Sequence, residues 1–178
     1  MSTSNTKTLP PGIPVVGTGG VVTPTPIAEL AKQIGEQLGI YRATYVVKGP
    51  GWVRIATIAS KPAVLLITHS YTNTHSVGVS MAVSGAYFTE QLKAAILSGT
   101  PSIFDKLRFV SDNKGTTYLE VHSCIAATYQ NTWTIAFHTV NGTNWTYNPK
   151  LYQEFTEGSI PEGFTAKEFT LSELMGGV

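Results

Sequence analysis

Two stretches decide the fold: Trp52-Val-Arg-Ile-Ala-Thr-Ile-Ala59 and Val77-Gly-Val-Ser-Met-Ala-Val83. In the second, Val77, Val79, Met81 and Val83 fall on one side of a period of two, with Gly78, Ser80 and Ala82 on the other. A strand half-buried on one face has that pattern, and a helix does not. The same period runs through Ile103 to Val110, Thr116 to Ser123, Thr132 to Val140 and Thr143 to Tyr147. Ser111-Asp-Asn-Lys-Gly115 separates two of these runs with turn residues and predicts a hairpin. Short strands at such intervals predict a mainly β chain, with a β-sandwich or jelly-roll-like domain over residues 43–148. Glu90 to Leu97 reads either as a helical interruption or as a bulged strand edge.

Outward from that domain the pattern changes. Residues 1–26 hold five prolines and four glycines between Leu9 and Pro26, which excludes a regular helix or a central strand. Leu9, Pro11, Ile13, Val15, Val16, Val21 and Val22 make the segment too apolar for a plain linker, so it reads as an extended arm that grips another protein. Thr25 and Pro26 suit a helix start, and Ile27, Leu30, Ile34 and Leu38 then repeat at helical spacing up to Gly39. A helix over 27–39 is too short to stand alone. Its stripe packs either on the chain's own β domain or in a trimeric bundle. Residues 149–178 carry Leu151, Tyr152, Phe155, Phe164, Phe169 and Leu171 among acidic residues, which predicts a tail packed on the domain or on a neighbouring subunit.

Composition narrows the function. Twelve Lys+Arg against eleven Asp+Glu leave no basic surplus to hold phosphates, so a nucleic-acid partner is not expected. Only 13% of residues are charged, which suits strands with polar but uncharged outer faces. The longest apolar run, Pro62 to Ile67, is too short to span a bilayer, so no membrane segment is expected. Met1 to Lys7 lack an apolar export core, and the single Cys124 cannot form an intrachain disulfide. Both features predict a soluble chain made in a reducing cytoplasm.

No catalytic constellation is legible. Phosphate loop, nucleophile elbow and zinc-protease helix are all missing from the sequence. His69 and His75 flank a hairpin loop and read as polar loop residues, and neither they nor His122 and His138 have metal-site spacing. Neither a metal nor any other cofactor is expected, and the chain reads as no enzyme. Glu90, Asp105, Asp112 and Glu120 are the carboxylates of the β region, and a glycosidase would need two of them facing one cleft. Trp52 and Trp133 lie on alternating patterns and are expected in the core, and Cys124 is expected to be a buried, inert thiol. Tyr71, Asn73, His75, Tyr87 and Trp145 fall near predicted loops, and Tyr and Trp there suit contacts with sugars or protein surfaces.

Gly51-Trp-Val-Arg-Ile-Ala-Thr57 resembles the G-W-Y-R-I-A opening of C-terminal domains in bacteriophage fibre proteins, with Val53 where Tyr is expected. Ala63 to Ile67, the Tyr71-Thr-Asn-Thr loop, Lys106-Leu-Arg-Phe-Val110, Asp112-Asn-Lys-Gly115 and Tyr118-Leu-Glu-Val121 follow in the same order. The order resembles fibre domains of phages and prophages of gut Bacteroidales, and it extends to Phe169. The resemblance implies a homotrimeric virion fibre, attached by its N-terminal arm to a capsid or other virion protein. Its β knob would face outward at the virion surface, with host surface glycan as a ligand class. The short region before the knob suits a head fibre; a tail fibre or baseplate subunit is the alternative, and a polysaccharide depolymerase a weaker one.

Overall fold

The computed structural model describes residues 12–16, 22–58, 62–71, 75–84, 88–99, 101–126, 131–139, 151–156 and 158–176. The chain divides into two units, Met1–Leu38 and Gly39–Val178.

In the first unit the predicted arm is a hairpin. β1 (Gly12–Val16) pairs antiparallel with β2 (Val22–Pro26), with Pro14 opposite Pro24. Prolines fit here because a two-stranded ribbon asks for ladder bonds on one side of each strand only. α1 (Ile27–Gln37) follows directly, starting where the sequence placed it and ending two residues sooner. Its last turn closes with the Leu38 amide donating to the Ile34 carbonyl at 3.0 Å, and Gly39 at φ 73° then turns the chain away.

The second unit is the mainly β domain read from the sequence, built as two five-stranded antiparallel sheets. One, sheet I, runs in the order β3-β10-β5-β6-β7: β3 (Ile40–Val47), β10 (Asn131–Thr139), β5 (Ala63–Tyr71), β6 (His75–Ser84) and β7 (Lys93–Gly99). The other, sheet II, runs β11-β4-β9-β8-β12: β11 (Leu151–Thr156), β4 (Gly51–Ile58), β9 (Thr117–Ser123), β8 (Phe104–Ser111) and β12 (Thr165–Thr170). Inward residues of both sheets form one apolar core that includes Ile55, Leu65, Ile67, Met81, Phe104, Phe109, Leu119, Val121, Trp133 and Phe137. Burying each of the larger ones contributes roughly 1.5–3 kcal/mol.

Sheet II has register shifts on β11 between Leu151 and Glu154, on β4 and on β8. Register shifts between Arg54 and Ala56 on β4, and between Phe104 and Lys106 on β8, bring Ile55 and Ala56, then Phe104 and Leu107, to the same inner side. One extra residue on one strand does this. The predicted β8–β9 hairpin is present. Asn113 (φ 56°) and Gly115 (φ 102°) take left-handed conformations, and Asp112 Oδ1 accepts from the Lys114 and Thr116 amides at 2.8 and 2.9 Å. Burial acts to raise the Asp112 pKa, but those hydrogen bonds and the nearby Lys114 outweigh it, leaving the carboxyl below its ordinary range.

Several details differ from the sequence reading. The first sandwich strand starts at Ile40, three residues early, because Tyr41, Tyr45 and Val47 already alternate into the core. Glu90 to Leu97 is not a helix: a single 3₁₀ turn at Thr89–Gln91 leads into β7, which pairs with β6 across a register shift between Ser80 and Met81. The bulged-edge alternative is the one that forms. The tail over 149–178 is part of the sandwich itself, supplying both outer strands of sheet II and a short helix, α2 (Leu171–Gly176), whose Leu174 is buried in the core. α2 starts with a reciprocal cap: Glu173 Oε2 accepts from the Thr170 amide at 2.7 Å, and the Glu173 amide donates to Thr170 Oγ1 at 3.4 Å. The Thr143 to Tyr147 strand lies outside the described residues.

Candidate functional site

The two sheets present very different outer faces. On sheet II the outward residues of neighbouring strands are Trp52 and Arg54 on β4, Tyr118, Glu120 and His122 on β9, and Lys106 and Arg108 on β8. Arg54 and Arg108 are both registered opposite Glu120, so one carboxylate stands between two guanidiniums. Glu120 Oε1 accepts from Arg54 Nε at 2.9 Å and lies 2.8 Å from its Nη2. Its Oε2 accepts from Arg108 Nε at 2.7 Å and from Thr156 Oγ1 at 3.3 Å. Glu154 reaches the far side of Arg54 at 3.6 Å. Aromatic rings cover the cations: the Arg54 guanidinium lies 3.9 Å from the Tyr118 ring centre, and that of Arg108 lies 4.0 Å from Trp52.

This face is closed by the chain itself. β11 and β12 are the opposite edges of sheet II, about 19 Å apart across four strand spacings, and the described residues of the connection between them are 158–164. The connection crosses as a strap. Arg108 Nη1 donates to the Gly158 carbonyl at 2.9 Å, and Asn113 Nδ2 donates to the Gly163 carbonyl. The strap residues Gly158 to Gly163 are exposed, whereas Glu120, Arg108 and Trp52 are 0, 3 and 7% exposed. Planar guanidiniums suit this place better than ammonium groups, since they stack on rings and donate in a fixed fork.

Chemically the cluster is a lock rather than an acid–base device. Glu120 has no exposed surface and holds three donors, so it is in no position to exchange protons with a substrate. Asp105 pairs with His122 Nδ1 at 2.7 Å, and the His122 ring meets Trp52 edge-on at 5.2 Å. Asp112 is bound into its turn. No group of three metal-ligating side chains occurs among the described residues. Cys124 is exposed rather than buried, and partial burial and the nearby Asp105 push its thiol pKa up, which disfavours the reactive thiolate.

Among the described residues, sheet I's outer face carries no such network. Ile40 and Val46 on β3, and Val64 and Leu66 on β5, are 37–47% exposed. Between and beside them lie Thr132, Thr134 and Ala136 on β10 and Gly78, Ser80 and Ala82 on β6. Arg42 and His138, with Lys93 on β7, are the charged or titratable groups of this face among the described residues.

The residues singled out from the sequence are scattered. Ile13, Val15 and Val16 lie on β1 and Val22 on β2, while Leu9, Pro11 and Val21 lie outside the described residues. Of the helix stripe, Ile27 opens α1, Leu30 is half-buried, and Ile34 and Leu38 are 47 and 60% exposed. Tyr71 and His75 are registered opposite each other at the end of the β5–β6 pair; Asn73, Tyr87 and Trp145 lie outside the described residues. His69 is not a loop residue: it is buried on the inner side of β5, in phase with Leu65 and Ile67.

No protein-family model matches the chain, and no curated protein sequence matches it. Among solved structures it is similar to Pantoea stewartii WceF, a glycan biofilm modifying enzyme with a bacteriophage tailspike-like parallel β-helix fold. That likeness has a TM-score of 0.44 and 9% identity, over 71% of this chain and 21% of the WceF chain. The chain thus spans about a fifth of that protein's length, and a likeness this distant carries no argument about activity here.

Sequence reasoning missed the lock. It placed Trp52 in the core, but Trp52 faces outward and is buried by Arg108 and His122. A signal was available: Arg54, Arg108 and Glu120 are charged residues within strands otherwise dominated by apolar positions, and charges there need partners.

Proposed function

We propose that this chain is a non-catalytic structural protein of a virion, a phage fibre. Its sandwich is the displayed knob, and its N-terminal unit attaches to a capsid or other virion protein. One observation carries the reading. The polar and aromatic residues of the motifs that resemble phage fibre domains (Trp52, Arg54, Arg108, Tyr118 and Glu120) converge on one locked network. Those motifs therefore serve the rigidity of a knob, which suits display better than turnover. The state of Glu120, Asp105 and Asp112 also favours this reading over a depolymerase, since each is already engaged within its own sheet or turn.

The knob works as one of three copies in a head fibre at the capsid surface, and host surface glycan is the ligand class it presents itself to. Weak single sites gain about 10²–10⁴ in avidity when several copies engage together. Labelling the virion with an antibody to the sandwich tests the placement: label on the capsid is expected. Label at the tail tip would transfer the reading to a tail fibre or baseplate subunit, and absence from purified particles would end both. Shortening of host capsule by the isolated protein would restore the depolymerase.

A further inference from the structure

We infer that the outer face of sheet I is where a second copy of this chain docks, ridge into groove. The face is corrugated across its strands. β3 carries Ile40 and Val46 and β5 carries Val64 and Leu66, two rows of large exposed apolar side chains. β10 between them presents Thr132, Thr134 and Ala136, and β6 presents Gly78, Ser80 and Ala82, with Ala95 of β7 beside Ala82. Leu66 is registered between Ala136 and Ser80 and so has lower ground on both sides; Val64 has it on the β6 side, at Ala82, with the larger His138 on the other.

Two arguments select a copy of the same chain as occupant. The first is charge. Among the described residues the charged side chains of this face are Arg42 and Lys93, on its two edge strands, so its middle calls for a flat, uncharged partner; the other broad face of the sandwich bears Arg54, Glu154, Lys106 and Glu168 and is crossed by the strap. The same corrugated face on another copy meets the requirement, because its ridges are spaced like these grooves, about 10 Å apart at two strand separations. The second is area. Five strands by about seven residues give about 550 Å² per copy. A pair then buries about 1,100 Å², above casual contacts (below about 800 Å²) and just under the about 1,200 Å² of stable ones. Such a contact holds modestly by itself and gains from copies tethered side by side. Same face against same face is an isologous contact that closes at two copies, so the inference does not rest on the three copies of the fibre reading.

Gly78 supplies a variant that tests the contact without disturbing the fold. A Cβ there would meet Thr68 Cγ2 at 3.6 Å, ordinary contact, so a β-branched side chain fits the strand and fills the groove. Mass measurement of the full chain at tens of micromolar should find an oligomer. Leu66→Lys and Gly78→Val should each shift it toward the 19.1 kDa monomer, with unchanged circular dichroism. A wild type that is monomeric, or a mass unmoved in both folded variants, overturns the inference. A dimer is the mass expected and upholds the contact; a wild-type trimer, which one face paired with itself cannot close, overturns it.

Discussion

The outer faces of the two sheets start from the same backbone and solve the same problem in opposite ways. Both belong to five-stranded antiparallel sheets whose inner sides share one core. On sheet II the chain spends two arginines, a glutamate, two aromatic rings and a strap to cover its own surface. On sheet I it places threonine, serine, alanine and four exposed aliphatic residues, with no covering segment among the described residues. Self-coverage by ions demands that every charge be satisfied, so it makes a rigid, intolerant face. A sparsely charged corrugated face tolerates change within the monomer, and its substitutions register only when copies meet.

Breaking the lock should have the largest consequence. Glu120→Gln leaves the guanidinium of Arg108, 4% exposed, without its counter-charge, and removing one partner of a buried pair costs about 3–5 kcal/mol. Urea unfolding should show that loss. Replacing Glu120, Arg54 and Arg108 together by apolar residues should cost much less, because the desolvation of all three disappears with them. Next in size is Arg108→Lys, which keeps the charge but gives up the fork and the stacking on Trp52. A loss of about 2 kcal/mol is expected, with hydrogen exchange quickening at Ser159 and Ile160 more than in β5 or β6. If exchange rose equally in both sheets, the strap would not depend on Arg108.

Smaller effects sharpen the contrast. Asp112 sits at the exposed β8–β9 turn with its folded pKa below the unfolded one. Its charged form therefore adds stability above the unfolded carboxylate pKa of about 3.9, and that stability is lost as the pH falls through the folded pKa. Asp112→Asn should cost a few tenths of a kcal/mol at neutral pH, where solvent screens the turn. Wild type and variant should converge in acid. A gap that widened toward low pH would reverse the assigned sign. Smallest of all, Val64→Thr on the open face should change monomer stability by less than about 0.5 kcal/mol, whereas the same exchange at Val121, fully buried, should cost several times more. Equal costs at the two positions would mean that Val64 is covered in the monomer.

How much was legible follows the range of the interactions. Alternation in Trp52–Ala59 and Val77–Val83, the Ser111–Gly115 turn and the helix stripe from Ile27 are local, and each announces its own element. Glu90–Leu97 was ambiguous because Ala94, Ile96 and Leu97 satisfy either period over so short a span, and pairing with β6 decides it. The hairpin of β1 and β2 was hidden by prolines that a ribbon tolerates. Of the candidate contacts, the sequence could only point at loops.

By itself the sequence determined the strands, their polarity and the absence of strong charge, since periodicity and composition act residue by residue. Only the tertiary structure decided that Arg54, Glu120 and Arg108, 66 and 12 residues apart, stand side by side, and that the tail closes sheet II from edge to edge. The physical reason is that strand order and register set those meetings. Both depend on which surfaces must be buried together, a property of the assembled sheets rather than of any one segment.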